Sequence, residues 1–216
     1  MKLFFIFLFL FFNLEANNQY LDKNLKPLSE KKQKFLRLML PALDKVYGEL
    51  MFKYSEVKYY IDNNISSYKI SNLKKIYHVD NNQDLLIALY PHPKSITLAQ
   101  AAMESNWGTS RFFKVANNIF GIWSYNKNEP RIPALEKRGD KVIYLKKYNS
   151  LEESIKDYYK QISIGKNFVK FRQDCYNHKS IINLAKDLKM YSEMRDEYSK
   201  HLISIIKFNR FEKFDK

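Results

Sequence analysis

Apolar side chains recur every three or four residues over long stretches of the chain, a spacing that predicts amphipathic helices. In "KKQKFLRLMLPALDKVYGELMFKY" the positions Phe35, Met39, Leu43, Val46, Leu50 and Tyr54 define one such face. Pro41 falls inside this pattern and is expected to kink or divide the helix, because it lacks an N–H and its ring meets the carbonyl four residues back. Shorter helical patterns follow near 71 to 78 and 83 to 90, then "KSITLAQAAMES" from Lys94. Between Ser124 and Lys147 the period changes. Pro130, Pro133 and Gly139 break the chain before the β-branched and aromatic run "KVIYLKKY", which predicts a small β-hairpin. Ser150 with Glu153 forms a capping box for "SLEESIKDYYKQI", and helical spacing resumes to the end, including "DEYSKHLISIIKFN". The pattern predicts one mainly α (α+β) domain with a hairpin near its middle.

The N-terminus departs from this pattern. "MKLFFIFLFLFFNLEANNQY" has Lys2, an unbroken apolar run from Leu3 to Phe12, and then Leu14-Glu15-Ala16. This is the layout of a secretory signal peptide over 1–16. At about 1.5 Å per residue the run makes a helix of roughly 15 Å, half the ~30 Å of a bilayer core, so no stable membrane span is expected. The mature chain is expected to start near Asn17 and to be exported to the periplasm or wall, with an extended segment over 17–29 and a folded domain over 30–212.

Sixteen Tyr and sixteen Phe against five Gly and six Pro favour a well-filled helical core and exclude disorder. The formal charge of +14 survives removal of the leader, which carries one Lys and one Glu. Such a surplus suits a polyanionic partner, and export makes nucleic acid the least favoured one, leaving anionic membranes or a cell wall bearing peptide carboxylates. Cys175 is the only cysteine, so no intramolecular disulfide can form. The four histidines, His78, His92, His178 and His201, show no ligand spacing, so neither a metal nor a cofactor is implied. "DNNIS", residues 62–66, fits the acidic form of an N-glycosylation sequon with Asn64 as acceptor.

The candidate chemistry lies in "AAMESNWGTS", residues 101–110. Ile96, Ala99, Ala102 and Met103 form one stripe of the helix from Lys94, while Gln100 and Glu104 sit four apart on a neighbouring face. Ala99, Ala101 and Ala102 permit close packing of another helix. Glu104 then ends a buried helix, where desolvation and the negative end of the helix dipole both favour the protonated carboxyl. On position alone a glutamate in a last turn reads as a partly exposed salt-bridge former. The wider motif favours a proton donor: Gly108 can supply the left-handed residue that stops the helix, Thr109 or Ser110 can cap the next, and Trp107 offers an indole face for stacking on a sugar.

"LAQAAMESNWGTSRFFKVANNIFGIW" resembles the signature of the Bax-like, glucosaminidase-type peptidoglycan hydrolases related to glycoside hydrolase family 73. The likeness continues in order through "IPALEKRG", "KKYNSLEESIKDYYKQI" and "MYSEMRDEYSKHLISIIKFN", and covers roughly residues 30 to 210. The resemblance implies a lysozyme-like helical fold with a β-lobe and cleavage of peptidoglycan glycan strands after N-acetylglucosamine. It places the catalytic acid on Glu104 and a cleft-lining Asn-x-Phe-Gly segment on Asn118, Phe120 and Gly121. Tyr191, followed by Ser192, is implied as a second catalytic residue near the reacting sugar. Trp107 and Trp123 join Asn118 and Phe120 as candidate substrate contacts.

One departure bears on mechanism. Relatives carry an acidic residue where the hairpin's second strand begins, and here Val142 or Ile143 occupies that place. The nearest substitutes are Asp140, Glu136 and Glu129. A hydrolase that uses the sugar's own 2-acetamido group needs no such residue. Two other readings stay open on the sequence: a muramidase or lytic transglycosylase of lysozyme-like fold, and a non-catalytic wall-binding protein that kept the cleft.

Overall fold

In the computed structural model, which describes residues 28–138 and 141–215 and leaves out the side chains of 136–138 and 141, the first amphipathic pattern forms a single helix. The expected leader, most of the 17–29 segment, Gly139 and Asp140 lie outside the described residues, as does the side chain of Glu136. Helix α1 runs Glu30–Asp62, 33 residues with Pro41 inside it, about 50 Å end to end at 1.5 Å per residue. The expected division at Pro41 does not occur. Pro41 and Arg37, whose carbonyl loses its helical partner, are both exposed, so water can replace the missing hydrogen bond.

The remaining elements are α2 (Tyr68–Tyr77), α3 (Asn82–Leu89), α4 (Lys94–Glu104), α5 (Arg111–Ala116), β1 (Arg131–Arg138), β2 (Lys141–Lys146), α6 (Leu151–Ile164), α7 (Val169–Tyr176), α8 (Ile181–Asp187) and α9 (Asp196–Asn209). Single 3-10 turns at Leu188–Tyr191 and Phe211–Phe214 flank α9. Side-chain caps start several helices, with Ser67, Asn81, Ser110, Ser150 and Ser180 each accepting from a backbone N–H two or three residues on. At α6 the capping box is shifted: Ser150 accepts from Glu153 N, but Glu153 reaches back to the N–H of Asn149 at 2.9 Å. Asn64 sits in an exposed turn just after α1, at φ 54. Among the described residues no helix is long and apolar enough to cross a membrane.

Two apolar clusters share α1. Phe35, Met39, Leu43 and Val46 pack into a main core with α4, α6, α8 and α9. Val57, further along, packs with Ile70 and Leu73 of α2 and Leu85, Leu86 and Leu89 of α3. At the centre of the main core, every residue of α4 from Ser95 to Ala102 is buried, on all sides of the helix rather than along one stripe. Asp215 caps this helix from the far end of the chain, accepting from Ser95 N at 2.8 Å, and the packed unit therefore reaches past the expected boundary at 212.

The hairpin pairs β1 and β2 antiparallel, Arg131 opposite Lys146 and Arg138 opposite Lys141, with a register shift between Pro133 and Lys137. Three β1 residues face one β2 residue there, a bulge that Pro133 favours because it has no N–H for the ladder. Leu145 also bridges to Trp123, and Ser124 N donates to Tyr144 O while Lys146 N donates to Ile122 O. The lobe is thus held on its second edge by the segment that follows α5.

Replacing Pro41 with Ala restores an exposed intrahelical hydrogen bond without touching the core. Pro41→Ala is expected to raise unfolding free energy by about 1–3 kcal/mol, read from urea denaturation; an unchanged or lower midpoint would contradict the account of α1.

Candidate active site

Glu104 is the last residue of α4, and the chain turns away from it through a tight loop. Ser105 donates to Ala101 O and accepts from Gly108 N at 2.7 Å, and Trp107 N donates to Ala102 O at 2.7 Å. Asn106, Trp107 and Gly108 all have positive φ, at 49, 60 and 74°. The helix has therefore ended before Gly108, and a bulky residue occupies the left-handed region at Trp107, which is strained by order ~1–3 kcal/mol. Tertiary contacts hold it there. The Trp107 ring meets Phe35 at 5.5 Å and Phe211 at 6.2 Å, and the ammonium of Lys32 lies over it at 4.6 Å. Half-buried in this way, Trp107 anchors the turn that follows Glu104.

Glu104 is only partly buried as a residue, yet its carboxyl is densely surrounded, and burial pushes it well above the usual carboxylate range. The hydroxyl of Tyr198, which donates to Glu104 Oε1 at 3.1 Å, opposes that shift only in part. A raised pKa is what a general acid needs at neutral pH. Tyr191 and Tyr198 are pushed far up by burial and by the Glu104 charge, so both remain neutral hydroxyls.

The residues expected around Glu104 divide by depth. Asn118 is 1% exposed and all of its polar capacity goes to the backbone: Nδ2 donates to Ile122 O and Lys146 O, each at 2.9 Å, and Oδ1 accepts from Ile122 N at 2.8 Å. Phe120 is fully buried and stacks on Tyr158 at 4.0 Å. Neither offers a surface to a substrate. Together with Gly121, at φ 64, they shape the loop that carries the hairpin lobe. Trp123 is half-exposed beside Tyr125 and remains available at the lobe's edge. Tyr191 is 2% exposed, stacked on Tyr198 at 5.5 Å, and Ser192 is buried with its hydroxyl accepting from Met194 N.

Tyr198, whose hydroxyl donates to Glu104, is a residue that sequence reasoning missed. Tyr198 shares a face of α9 with Leu202 and Ile206, and an inward-facing tyrosine at that spacing looks like any core aromatic. Gln100 was visible four residues before Glu104, without its partners.

Among the described side chains, those at the start of β2 are Val142, exposed, and Ile143, half-buried. Glu129 accepts from Ser124 Oγ at 2.7 Å and lies 3.8 Å from Lys146 Nζ. Asp157 of α6 takes Lys146 Nζ at 2.9 Å and Tyr148 OH at 2.7 Å. Asp157 thereby ties β2 to the helical body, while Glu129 is engaged within the lobe.

A mainly helical body with a two-stranded antiparallel lobe is the architecture of the lysozyme-like glucosaminidase class. The profile of one family, mannosyl-glycoprotein endo-beta-N-acetylglucosaminidase, matches residues 84–211, more than half of the chain, and the chain belongs to this Glucosaminidase family. Among solved structures, the catalytic domain of the autolysin Auto from Listeria monocytogenes is similar in fold, with a TM-score of 0.52 and 21% identity over 88% of this chain and 91% of that one. An N-acetylmuramoyl-L-alanine amidase from Staphylococcus aureus aligns with a TM-score of 0.46 and 27% identity over 70% of this chain and 45% of that one. No curated protein matches the chain.

Asn118→Ala is expected to destabilise the fold by about 1–3 kcal/mol, because it strands the buried N–H of Ile122 and takes one donor from each of the carbonyls of Ile122 and Lys146. Denaturation read by tyrosine and tryptophan fluorescence measures it; a loss of substrate affinity at unchanged stability would instead make Asn118 a substrate contact.

Proposed function

We propose that the protein is an exported peptidoglycan hydrolase that cleaves the glycan strand after N-acetylglucosamine, with Glu104 as general acid. The observation that carries this reading is the placement of Glu104 as the last residue of α4, only partly buried as a residue, where its surroundings favour the protonated carboxyl. The family supports the sugar. The charge of +14 and the leader-like N-terminus support an anionic, extracytoplasmic polymer as the substrate.

In this reading Glu104 gives its proton to the glycosidic oxygen as the bond from that oxygen to C1 breaks. The carbonyl oxygen of the sugar's 2-acetamido group forms the new bond to C1, which leaves a cyclic oxazolinium ion. Water then attacks C1 as the bond from C1 to the oxazolinium ring oxygen breaks and the 2-acetamido group is regenerated, and it passes a proton to the Glu104 carboxylate, which restores the acid and retains the β-configuration. Support for the sugar as its own nucleophile comes from Val142 and Ile143 at the start of β2, and from the bonds that already engage Glu129 and Asp157.

Glu104→Gln is near-isosteric and cannot donate a proton, so it should lower turnover of purified peptidoglycan by at least ~10²-fold while the fold persists. Wild-type turnover would sink the acid assignment. Mass analysis of reduced products separates the alternatives: an anhydro-muramyl end identifies a transglycosylase, and glycan binding without new reducing ends identifies a non-catalytic protein.

Asp140→Asn, Glu136→Gln and Glu129→Gln should each leave activity within about tenfold, whereas loss of an acid–base catalyst costs ~10²-fold or more. The first product should be β-configured, and an α-configured product would show a water-activating base.

A further inference from the structure

Behind Glu104, a file of buried hydroxyls and one amide runs through the core. Tyr198 OH donates to Glu104 Oε1 at 3.1 Å, and Gln100 Nε2 donates to Tyr198 OH at 2.7 Å. Tyr158 OH donates to Gln100 Oε1 and meets His92 Nε2 at 3.0 Å. His92 Nε2 is also 3.0 Å from Thr97 Oγ1, which donates to Tyr159 OH at 2.8 Å, and Tyr159 OH donates to the His92 carbonyl at 3.3 Å. Each of these side chains except Glu104 is at most 3% exposed, so water cannot readily substitute for a lost partner.

The directions of these bonds follow from one group that can only accept, the carbonyl of His92. Tyr159 spends its proton on that carbonyl and Thr97 spends its own on Tyr159. Thr97 Oγ1 is then an acceptor toward His92, so the proton of the ring sits on Nε2. Burial pushes the His92 pKa down to about 3, so the ring stays neutral. With Nε2–H as donor, Tyr158 is free to give its proton to Gln100 Oε1, which turns the amide nitrogen toward Tyr198. An amide nitrogen only donates, so Tyr198 must spend its proton on Glu104.

We propose that Tyr198, oriented by Gln100, is a positioning residue that fixes which oxygen of Glu104 carries the transferable proton and steadies the carboxylate left behind when that proton goes. Oε1 is committed as an acceptor, so the acidic proton belongs to Oε2. When Glu104 becomes an anion during glycosidic cleavage, the Tyr198 bond becomes charge-assisted and strengthens, a gain made in the transition state and absent from the ground state. The opposite amide orientation would have Tyr198 accept the Glu104 proton and withhold it from a substrate. The other groups facing this corner are Tyr191 beside Tyr198, and, from α1, Lys31 bonded to Asn106 and Lys32 over Trp107. None of these is a second carboxylate. The proposal rests on Glu104 as the acid.

The test is Tyr198→Phe, which keeps the ring, assayed on purified peptidoglycan across pH together with thermal unfolding. Turnover should fall about 10- to 100-fold, the scale of one hydrogen bond to a charged group, with KM little changed. Activity needs the protonated acid, and the lost bond stabilised the carboxylate, so the basic limb of kcat/KM should move to higher pH. Gln100→Met, which removes the group that orients Tyr198, should move it the same way by less. A purely structural role for the pair would lower the unfolding midpoint and leave that limb in place, and this result in both variants overturns the proposal. If Tyr198→Phe does not fold, Gln100→Met decides alone. Glu104→Gln distinguishes the two levels: full activity there removes the acid and this proposal with it, whereas an inactive Glu104→Gln beside an unmoved pH limb refutes only the positioning role.

Discussion

The rest of the structure depends on one constraint, the burial of α4 on every side. A helix sheathed in this way cannot leave Thr97 or Gln100 facing water, and an unpaired hydroxyl or amide in the interior costs about 1–3 kcal/mol. Its neighbours therefore supply partners as well as apolar surface. Tyr158 and Tyr159 come from α6, Tyr198 from α9, and His92 from the short connection before α4. The small residues Ala99, Ala101 and Ala102 let these aromatics approach closely enough to bond. The high tyrosine content thus has a structural reason beyond bulk, since each of these rings fills space and ends in a hydroxyl where α4 needs one.

The same constraint shapes the chemistry. The helix can expose a side chain only where it ends, and Glu104 is the residue at that end. Packing that keeps α4 dry also raises the carboxyl's affinity for its proton, and the strained loop after it, pinned by Trp107 against Phe35 and Phe211, turns the chain away from that carboxyl.

The hairpin lobe is attached by polar contacts in place of a large apolar face. Asn118 brackets the loop to β2 through the backbone of Ile122 and Lys146. Lys146, Tyr148 and Asp157 then fasten β2 to α6. A two-stranded hairpin is marginal by itself in water, and these bonds hold it against the helical body. They also occupy the carboxylates nearest its base.

The sequence by itself determined the helical body, the hairpin near its middle, the caps and the placement of Glu104 at a helix end, because all of these depend on spacing along the chain. Periodicity marked the buried face of α1, and the run of small residues marked α4 as a close-packed element. Local pattern overstated Pro41, whose lost hydrogen bond falls on the solvent side, a fact set by how α1 lies on the core. The family resemblance placed Asn118 and Phe120 at the cleft, where burial leaves them no open surface, and local pattern left Tyr198 and His92 among unremarkable core aromatics and scattered histidines. Only tertiary structure decided which residues stand behind Glu104, because the chain from His92 to Tyr198 is drawn from elements up to 106 positions apart. A hydrogen-bond direction passed along such a chain is a property of the packed core, and no single segment carries it.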